Sequence, residues 1–120
     1  MNYLYTAIIL GAVFIILGAF GAHVLVDMVS ADRLIIFEKA VFYHIVHTVL
    51  IVILELQSKS QFIWSKRLFL SGILIFSGSL YLLVLTNTSW LGKVTPIGGL
   101  CFILGWLFIG IESRNNVKHT

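Results

Sequence analysis

Two histidines and a glutamate lie within or at the end of one long apolar stretch of this chain. His44 and His47 are three residues apart, so both face one side of a helix, and Glu55 falls on that same side. Ionisable side chains are expensive to place in a hydrocarbon interior and often mark a functional site there. A neutral imidazole can bind a metal or a haem, and it can relay protons near neutral pH. This helix face is therefore the first place to look for function.

The same histidines also have a purely structural interpretation. They could hydrogen-bond to Ser77, Ser79 or Tyr81, or to backbone carbonyls of other helices, and so fix how the helices align. A metal site would need a third ligand, for which His23 is the candidate. We favour structural pairing over proton or ligand binding, and either of these over a metal site. We expect no resident metal and no cofactor.

Motifs of known catalytic and phosphate-binding sites are absent from the sequence. It holds no HExxH, no CxxC and no glycine-rich phosphate loop, and both aspartates lie between the first two apolar stretches. The one cysteine, Cys101, lies deep in the fourth apolar stretch and cannot form an intramolecular disulfide. We predict a protein without catalytic activity.

Four apolar stretches position these residues and account for most of the 120-residue chain, of which 59% is hydrophobic and 11% charged. A helix needs roughly 20 mostly apolar residues to cross a bilayer, whereas barrel strands would alternate apolar and polar residues. Short connections favour antiparallel neighbours. We predict an all-α polytopic membrane protein, a single domain over 1–120 forming a four-helix up-down bundle, with spans at about 3–22, 35–56, 68–86 and 96–111.

The net charge of +3 is small, and its Lys and Arg residues lie in short flanks. Such flanks indicate membrane orientation rather than nucleic-acid binding, because cytoplasmic loops carry more Lys and Arg. The side that holds the N-terminus also holds Lys59, Lys66, Arg67, Arg114 and Lys118, against Arg33, Lys39 and Lys93 on the other. We therefore predict that both termini are cytoplasmic.

Small residues gather on one face of each of three spans. They let helix backbones approach closely in a membrane, where lipid gives no hydrophobic drive for helix association. Bulky faces should then meet lipid, and in the third span that face includes Phe69, Ile73 and Phe76. The predicted packing glycines are Gly11, Gly18, Gly21, Gly78, Gly98 and Gly105.

Four motifs in order along the chain resemble the small bacterial membrane-protein family catalogued as domain of unknown function 423. They are GAFGAH at 18–23, FEKAVFYHIVHT at 37–48, FSGSLY at 76–81 and VTPIGG at 94–99. The resemblance implies a four-helix integral protein of the bacterial cytoplasmic membrane, and it implies no particular activity. The chain departs from the family pattern at Tyr43-His44, which favours His23, Glu38 and His47 over His44 in any metal site.

The family motifs also collect polar residues from all four helices. They suggest one polar cluster that opens to the side opposite the termini, with the members His23, Glu38, His44, His47, Ser77, Ser79, Tyr81 and Thr95. We expect a non-catalytic component that supports the cell envelope, with the lipid bilayer, a second copy or a larger membrane protein as partner, and no nucleic acid. The alternative is a ligand-binding or transport subunit that uses the cluster for a proton, a metal or a small lipophilic molecule.

Overall fold

The chain folds into long helices joined by short turns. The computed structural model describes residues 2–117, with side chains for residues 2–114. Within that part there is no strand, and the helices are α1 (Tyr3–His23), α2 (Ala31–Gln57), α3 (Ile63–Gly72), α4 (Gly78–Thr86) and α5 (Thr95–Val117). A π-helical turn (Ile73–Ser77) joins α3 to α4, and 3₁₀ turns occupy Leu25–Asp27 and Ser89–Lys93.

Four of these helical stretches are long and apolar enough to cross a membrane. They are Tyr3–Asp27, Ala31–Gln57, Ile63–Thr86 and Ser89–Arg114. The predicted four-span, all-helical fold is therefore confirmed. Each stretch is longer than the span that was predicted from the apolar residues. At the start of α2, the Ser30 hydroxyl accepts a bond from the Arg33 amide at 3.3 Å.

Contacts between the ends of the helices show the up-down arrangement. Lys66 at the start of α3 pairs with Glu55 at the end of α2, and it lies under the ring of Tyr3 at the start of α1. Glu112 near the end of α5 accepts a bond from the Ser65 amide. We call this end of the bundle, where α1 begins and α5 ends, the terminal end. Lys118 was predicted to lie here but falls outside the described residues.

The helix α2 lies at the centre of the bundle. It packs against α1 on one flank and against the third span on another, while α5 packs chiefly against α3 and the π turn. The polar stripe predicted to face inward does so, together with the apolar residues that share its side. The buried residues of α2 are Phe37, Ala40, His44, His47, Thr48, Ile51, Leu54 and Glu55.

The third span does not present the face that was predicted from a regular α-helix. Phe69 and Ile73, expected to meet lipid, are 0% and 2% exposed. The π turn that follows uses one extra residue, because its hydrogen bonds close over five residues rather than four. It therefore moves the inward positions of the next helix by one, so that Ser77, Tyr81 and Val84 face the neighbouring helices.

Three of the predicted packing glycines are points of close approach. A Cβ at Gly98 would collide with the backbone of Phe76, and one at Gly105 would lie 2.7 Å from the ring of Phe69. A Cβ at Gly21 would lie 2.9 Å from the ring of a phenylalanine on α2. These distances are shorter than carbon contacts allow, so each glycine permits a packing that alanine would disturb.

The other three predicted packing glycines do not have this role between the described helices. A Cβ at Gly11 or Gly78 would meet no atom within 4 Å, and one at Gly18 would reach only a side-chain carbon of Val41 at 3.9 Å. These glycines do lie on helix faces made of small residues. No neighbouring helix approaches those faces closely enough for the missing side chain to matter. Gly72 of the third span is also a point of close approach, because it receives a phenylalanine ring of α5.

We predict that Gly98→Ala lowers stability and that the matched change Gly78→Ala does not. At Gly98 the added methyl group meets backbone, which cannot move out of the way, and overpacking of this kind costs about 1–3 kcal/mol. At Gly78 there is open space, and alanine gains about 0.5–1 kcal/mol over glycine within a helix. Melting temperatures in detergent would check both, and an equal loss in the two variants would contradict the predicted packing.

Candidate functional site

His44 connects three helices through its two ring nitrogens. Its Nε2 lies 2.8 Å from the carbonyl oxygen of Leu10 on α1, and its Nδ1 lies 2.8 Å from the hydroxyl of Tyr81 on α4. Because a carbonyl can only accept, Nε2 carries the proton and donates, and Nδ1 accepts from the tyrosine. The side chain is 2% exposed. Both nitrogens are therefore used in holding α1 and α4 to α2.

His47 connects α2 to α5 in a similar way. Its Nδ1 donates to the carbonyl of Tyr43 at 2.8 Å, and its Nε2 accepts from the indole N–H of Trp106 at 3.1 Å. The ring also stacks on Phe102, with centroids 3.7 Å apart and planes within 12°. The lone pair that a metal would need points at Trp106, so the imidazole is not free to act as a ligand.

Hydroxyl groups make further polar contacts between or within the spans. Ser77 donates to the carbonyl of Ala40 at 2.8 Å, which joins the third span to α2. The hydroxyls of Ser79 and Thr95 lie 2.6 Å apart and join α4 to the start of α5. Thr48 donates to the carbonyl one turn earlier in its own helix at 2.7 Å. Each of these hydroxyls has a partner inside the protein.

The eight residues of the predicted polar cluster are not joined into one site. They divide into the pair His44–Tyr81, the pair Ser79–Thr95, and the separate contacts of His47 and Ser77. His23 and Glu38 are exposed, and Glu38 borders a shallow cavity of about 140 Å³ beside Gly18 and Gly21. Among the described residues, no three His, Cys, Asp or Glu side chains lie close enough to hold a metal ion.

An ion pair at the terminal end is the main feature that the sequence did not reveal. Lys66 is 0% exposed, and its Nζ lies 2.7 Å from Glu55 Oε2. The same nitrogen donates to the carbonyls of Ser58 and Lys59 at 3.2 and 3.3 Å and lies 5.4 Å from the ring centroid of Tyr3. From the sequence, Lys66 was counted only among the flanking charges that indicate orientation, yet Glu55 on the inward face of α2 required a cation nearby, and that requirement was the available signal.

Glu112 forms a second contact at the terminal end. Its carboxylate accepts bonds from the backbone amides of Trp64 and Ser65 at 3.2 and 2.9 Å, and from the Ser65 hydroxyl at 2.8 Å. The first amides of a helix have no partner within the helix, and its N-terminus favours negative charge. A side chain of α5 thus caps α3. This joins the last span to the third at the same level as the ion pair.

At the opposite end of the bundle, Arg33 hydrogen-bonds to the last turn of the third span. Its guanidinium donates to the carbonyl of Val84, while its Nε is buried without a partner. The final carbonyls of a helix lack partners within the helix, and a cation is favourable there. Val84 belongs to a small core with Leu25 and Phe37, so the bond fixes the start of α2 against the end of α4.

We predict that Tyr81→Phe destabilises the bundle without unfolding it. The change removes the hydroxyl that bonds His44 and leaves a buried nitrogen without its partner. Comparable bonds between membrane helices contribute about 0.6 kcal/mol, and up to about 1.7 kcal/mol. The free energy of unfolding in mixed micelles measures the effect. The control is Tyr5→Phe, since Tyr5 is 65% exposed. An equal loss in both variants would argue against a structural role for the His44–Tyr81 bond.

We predict a larger loss of stability for Lys66→Met, about 3–5 kcal/mol, because it leaves the Glu55 carboxylate buried without its cation. Replacing both partners, as Glu55→Leu with Lys66→Met, should recover most of the loss, since two apolar side chains leave no buried charge. Lys93→Met is the control, because Lys93 is exposed at the other end. A double variant as unstable as the single one would contradict this account of the pair.

Comparison with known proteins gives a consistent set of relatives. A sequence model described as "Protein of unknown function (DUF423)" matches residues 17–99. A UPF0382 membrane protein of Staphylococcus aureus is 43% identical over 99 residues, which cover 80% of this chain and 81% of the relative. The UPF0382 membrane protein YwdK of Bacillus subtilis is 41% identical over 115 residues, covering 88% and 94%. The UPF0382 inner membrane protein YgdD of Escherichia coli K12 is 37% identical over 121 residues, covering 94% and 92%. No solved structure matches the chain.

Proposed function

The chain belongs to the DUF423 family of small membrane proteins, and from that premise we propose that it acts without catalysis, by associating through its outer helix faces with a second copy or a larger membrane protein. Such a component would support the cell envelope as part of an assembly. Its polar residues would then serve the fold rather than a reaction.

One observation carries this proposal: the buried histidine and serine side chains within the spans bond to other side chains or to backbone carbonyls. Both nitrogens of His44 and both nitrogens of His47 have partners, and so do the hydroxyls of Ser77 and Ser79. A catalytic or ligand-binding group needs a free donor, acceptor or lone pair directed at its substrate. Here those atoms already have partners within the protein.

The outer surface supports association between helices. Of the four spans, α1 is the least buried, because α2 is the helix it chiefly packs against. Its outward side carries large apolar residues such as Ile9 and Ile16 together with the small residues Ala12 and Ala19. Small residues on an outer face allow a further helix to approach closely. This face has the composition that contact with another membrane helix requires.

The alternative, a ligand-binding or transport subunit, has less support from the geometry. Its proposed ligands were His23, Glu38 and His47. The first two are exposed, while His47 is 3% exposed and fully bonded. A proton or metal passing along these residues would first have to break the bond between His47 and Trp106. No observation in the described part of the chain favours that step.

The proposed orientation puts the terminal end in the cytoplasm. Lys59, Arg67 and Arg114 are exposed at that end, and cytoplasmic flanks are rich in such residues. Relatives named as inner membrane proteins are consistent with a location in the cytoplasmic membrane. Reporter fusions to the loop at 58–62 and to the C-terminus test the orientation, and an external location for either would reject it.

We predict that Ala12→Cys and Ala19→Cys cross-link in native membranes and that Ala7→Cys does not. The three changes are identical in type, and they are made in a chain whose own cysteine is removed by Cys101→Ala. Ala12 and Ala19 are exposed on α1, whereas Ala7 is 1% exposed against α2. Cross-linking should be at least several-fold greater at the exposed positions.

The products of that experiment separate the two kinds of partner. A linked dimer of this chain supports self-association, and a defined product with one other membrane protein supports a larger assembly. Cross-linking no greater at Ala12 and Ala19 than at Ala7 would reject association through α1. The test assumes that the fold is unchanged, which melting temperatures of the three variants would establish.

A further inference from the structure

A cleft of about 660 Å³ opens at the terminal end between α1 and α3. Tyr3 of α1 forms one side, Glu55 of α2 and Lys59 of the following loop close it, and α3 forms the other side. The residues of α3 that border it are Ile63, Trp64, Arg67, Leu68, Leu70 and Ser71. The cleft exists because α1 and α3 both pack on α2 and leave a space between their first turns.

The charge of the cleft is positive. The carboxylate of Glu55 is neutralised by the ion pair with Lys66, whose ammonium is itself wholly buried. Two exposed cations then remain at its border, Lys59 and Arg67. The backbone of Lys59 is fixed, because its carbonyl accepts a bond from Lys66. A ligand in this cleft would therefore meet two basic side chains and no uncompensated acidic one.

The position of the cleft along the spans is that of a membrane interface. Tyr3 and Trp64 border it, and such aromatic residues are enriched at the level of the lipid headgroups. The guanidinium of Arg67 lies 5.2 Å from the ring of Trp64, which holds the cation near that level. Leu68 and Leu70 lie one turn or more beyond Trp64 along α3, and they give the cleft an apolar inner part.

From this arrangement we propose that the cleft binds an anionic phospholipid, with its phosphate on Lys59 and Arg67 and the beginning of its acyl chains against Leu68 and Leu70. Positive side chains at the interface and apolar side chains below them match the two parts of such a lipid. A soluble anion would contact only the positive side chains and not the apolar ones. A zwitterionic lipid would add the positive charge of its own headgroup to those of Lys59 and Arg67, and the repulsion would weaken its binding.

Native mass spectrometry of the intact protein tests the proposal. The protein is purified in detergent and mixed with equal amounts of phosphatidylglycerol and phosphatidylcholine of identical acyl chains. We expect retained phosphatidylglycerol to exceed phosphatidylcholine. Each basic side chain near an anionic lipid contributes roughly a fivefold preference. The double variant Lys59→Gln/Arg67→Gln should therefore lose an order of magnitude or more of the preference.

The matched control is Lys93→Gln/Arg114→Gln, which removes the same two residue types at exposed positions outside the cleft. The control should keep the preference, and both double variants should keep the melting temperature of the unchanged protein. An equal loss of preference in both variants would overturn the site, because it would reflect net charge alone. So would an unchanged protein with no preference for phosphatidylglycerol.

A further addition separates a lipid site from an anion site. Inorganic phosphate at millimolar concentration should leave phosphatidylglycerol bound, because it makes no contact with Leu68 or Leu70. Displacement by phosphate would reveal a site for free anions and would overturn the assignment to lipid. These outcomes do not depend on whether the protein associates through α1, so the two proposals succeed or fail separately.

Discussion

The structure depends on the fact that a polar group in a lipid interior must find its partner within the protein. The helix α2 carries the most polar side chains of any span, and each neighbour of α2 supplies partners for them. α1 offers the Leu10 carbonyl and α4 the Tyr81 hydroxyl to His44, while α5 offers the Trp106 indole to His47. Since lipid supplies no hydrophobic drive between helices, such bonds and close packing decide which helices lie beside α2. The central position of α2 follows from its sequence.

The third span and α5 pack closely because a glycine of each helix faces a phenylalanine ring of the other. Gly72 receives the ring of Phe102 from α5, and Gly105 of α5 receives the ring of Phe69 from α3. The same two phenylalanines contact the imidazole of His47, with centroid distances of 3.7 and 5.2 Å. The two rings that contact His47 can therefore take these positions only because Gly72 and Gly105 have no side chains. A change at either glycine would act on the hydrogen bonds of His47 as well as on the packing of the two helices.

How far the sequence could predict this structure differs from helix to helix. On α2 the inward face was predicted correctly, because polar residues with a helical period can be satisfied only on one side. On the third span the prediction failed at Phe69 and Ile73, because no residue type signals a π turn and the turn shifts the period by one. The prediction that Gly11 and Gly78 are packing residues was wrong for another reason. Which small face is used depends on the distance of the facing helix, and one helix alone does not contain that information.

The charges of the terminal end differ between the sequence, where each is counted singly, and the folded protein, where some of them are paired. In the orientation proposed above, Lys66 counts in full toward the bias of Lys and Arg, because that bias depends on the sequence and not on the pairing of Lys66 with Glu55. After folding, that charge is compensated and buried, and the carboxylate of Glu112 lies on the first amides of α3. Among the described residues, the exposed positive charges of the folded end are then Lys59 and Arg67 beside the cleft, together with Arg114. A count of Lys and Arg in the sequence therefore predicts orientation, whereas the surface that a lipid meets is set by the pairing that folding adds.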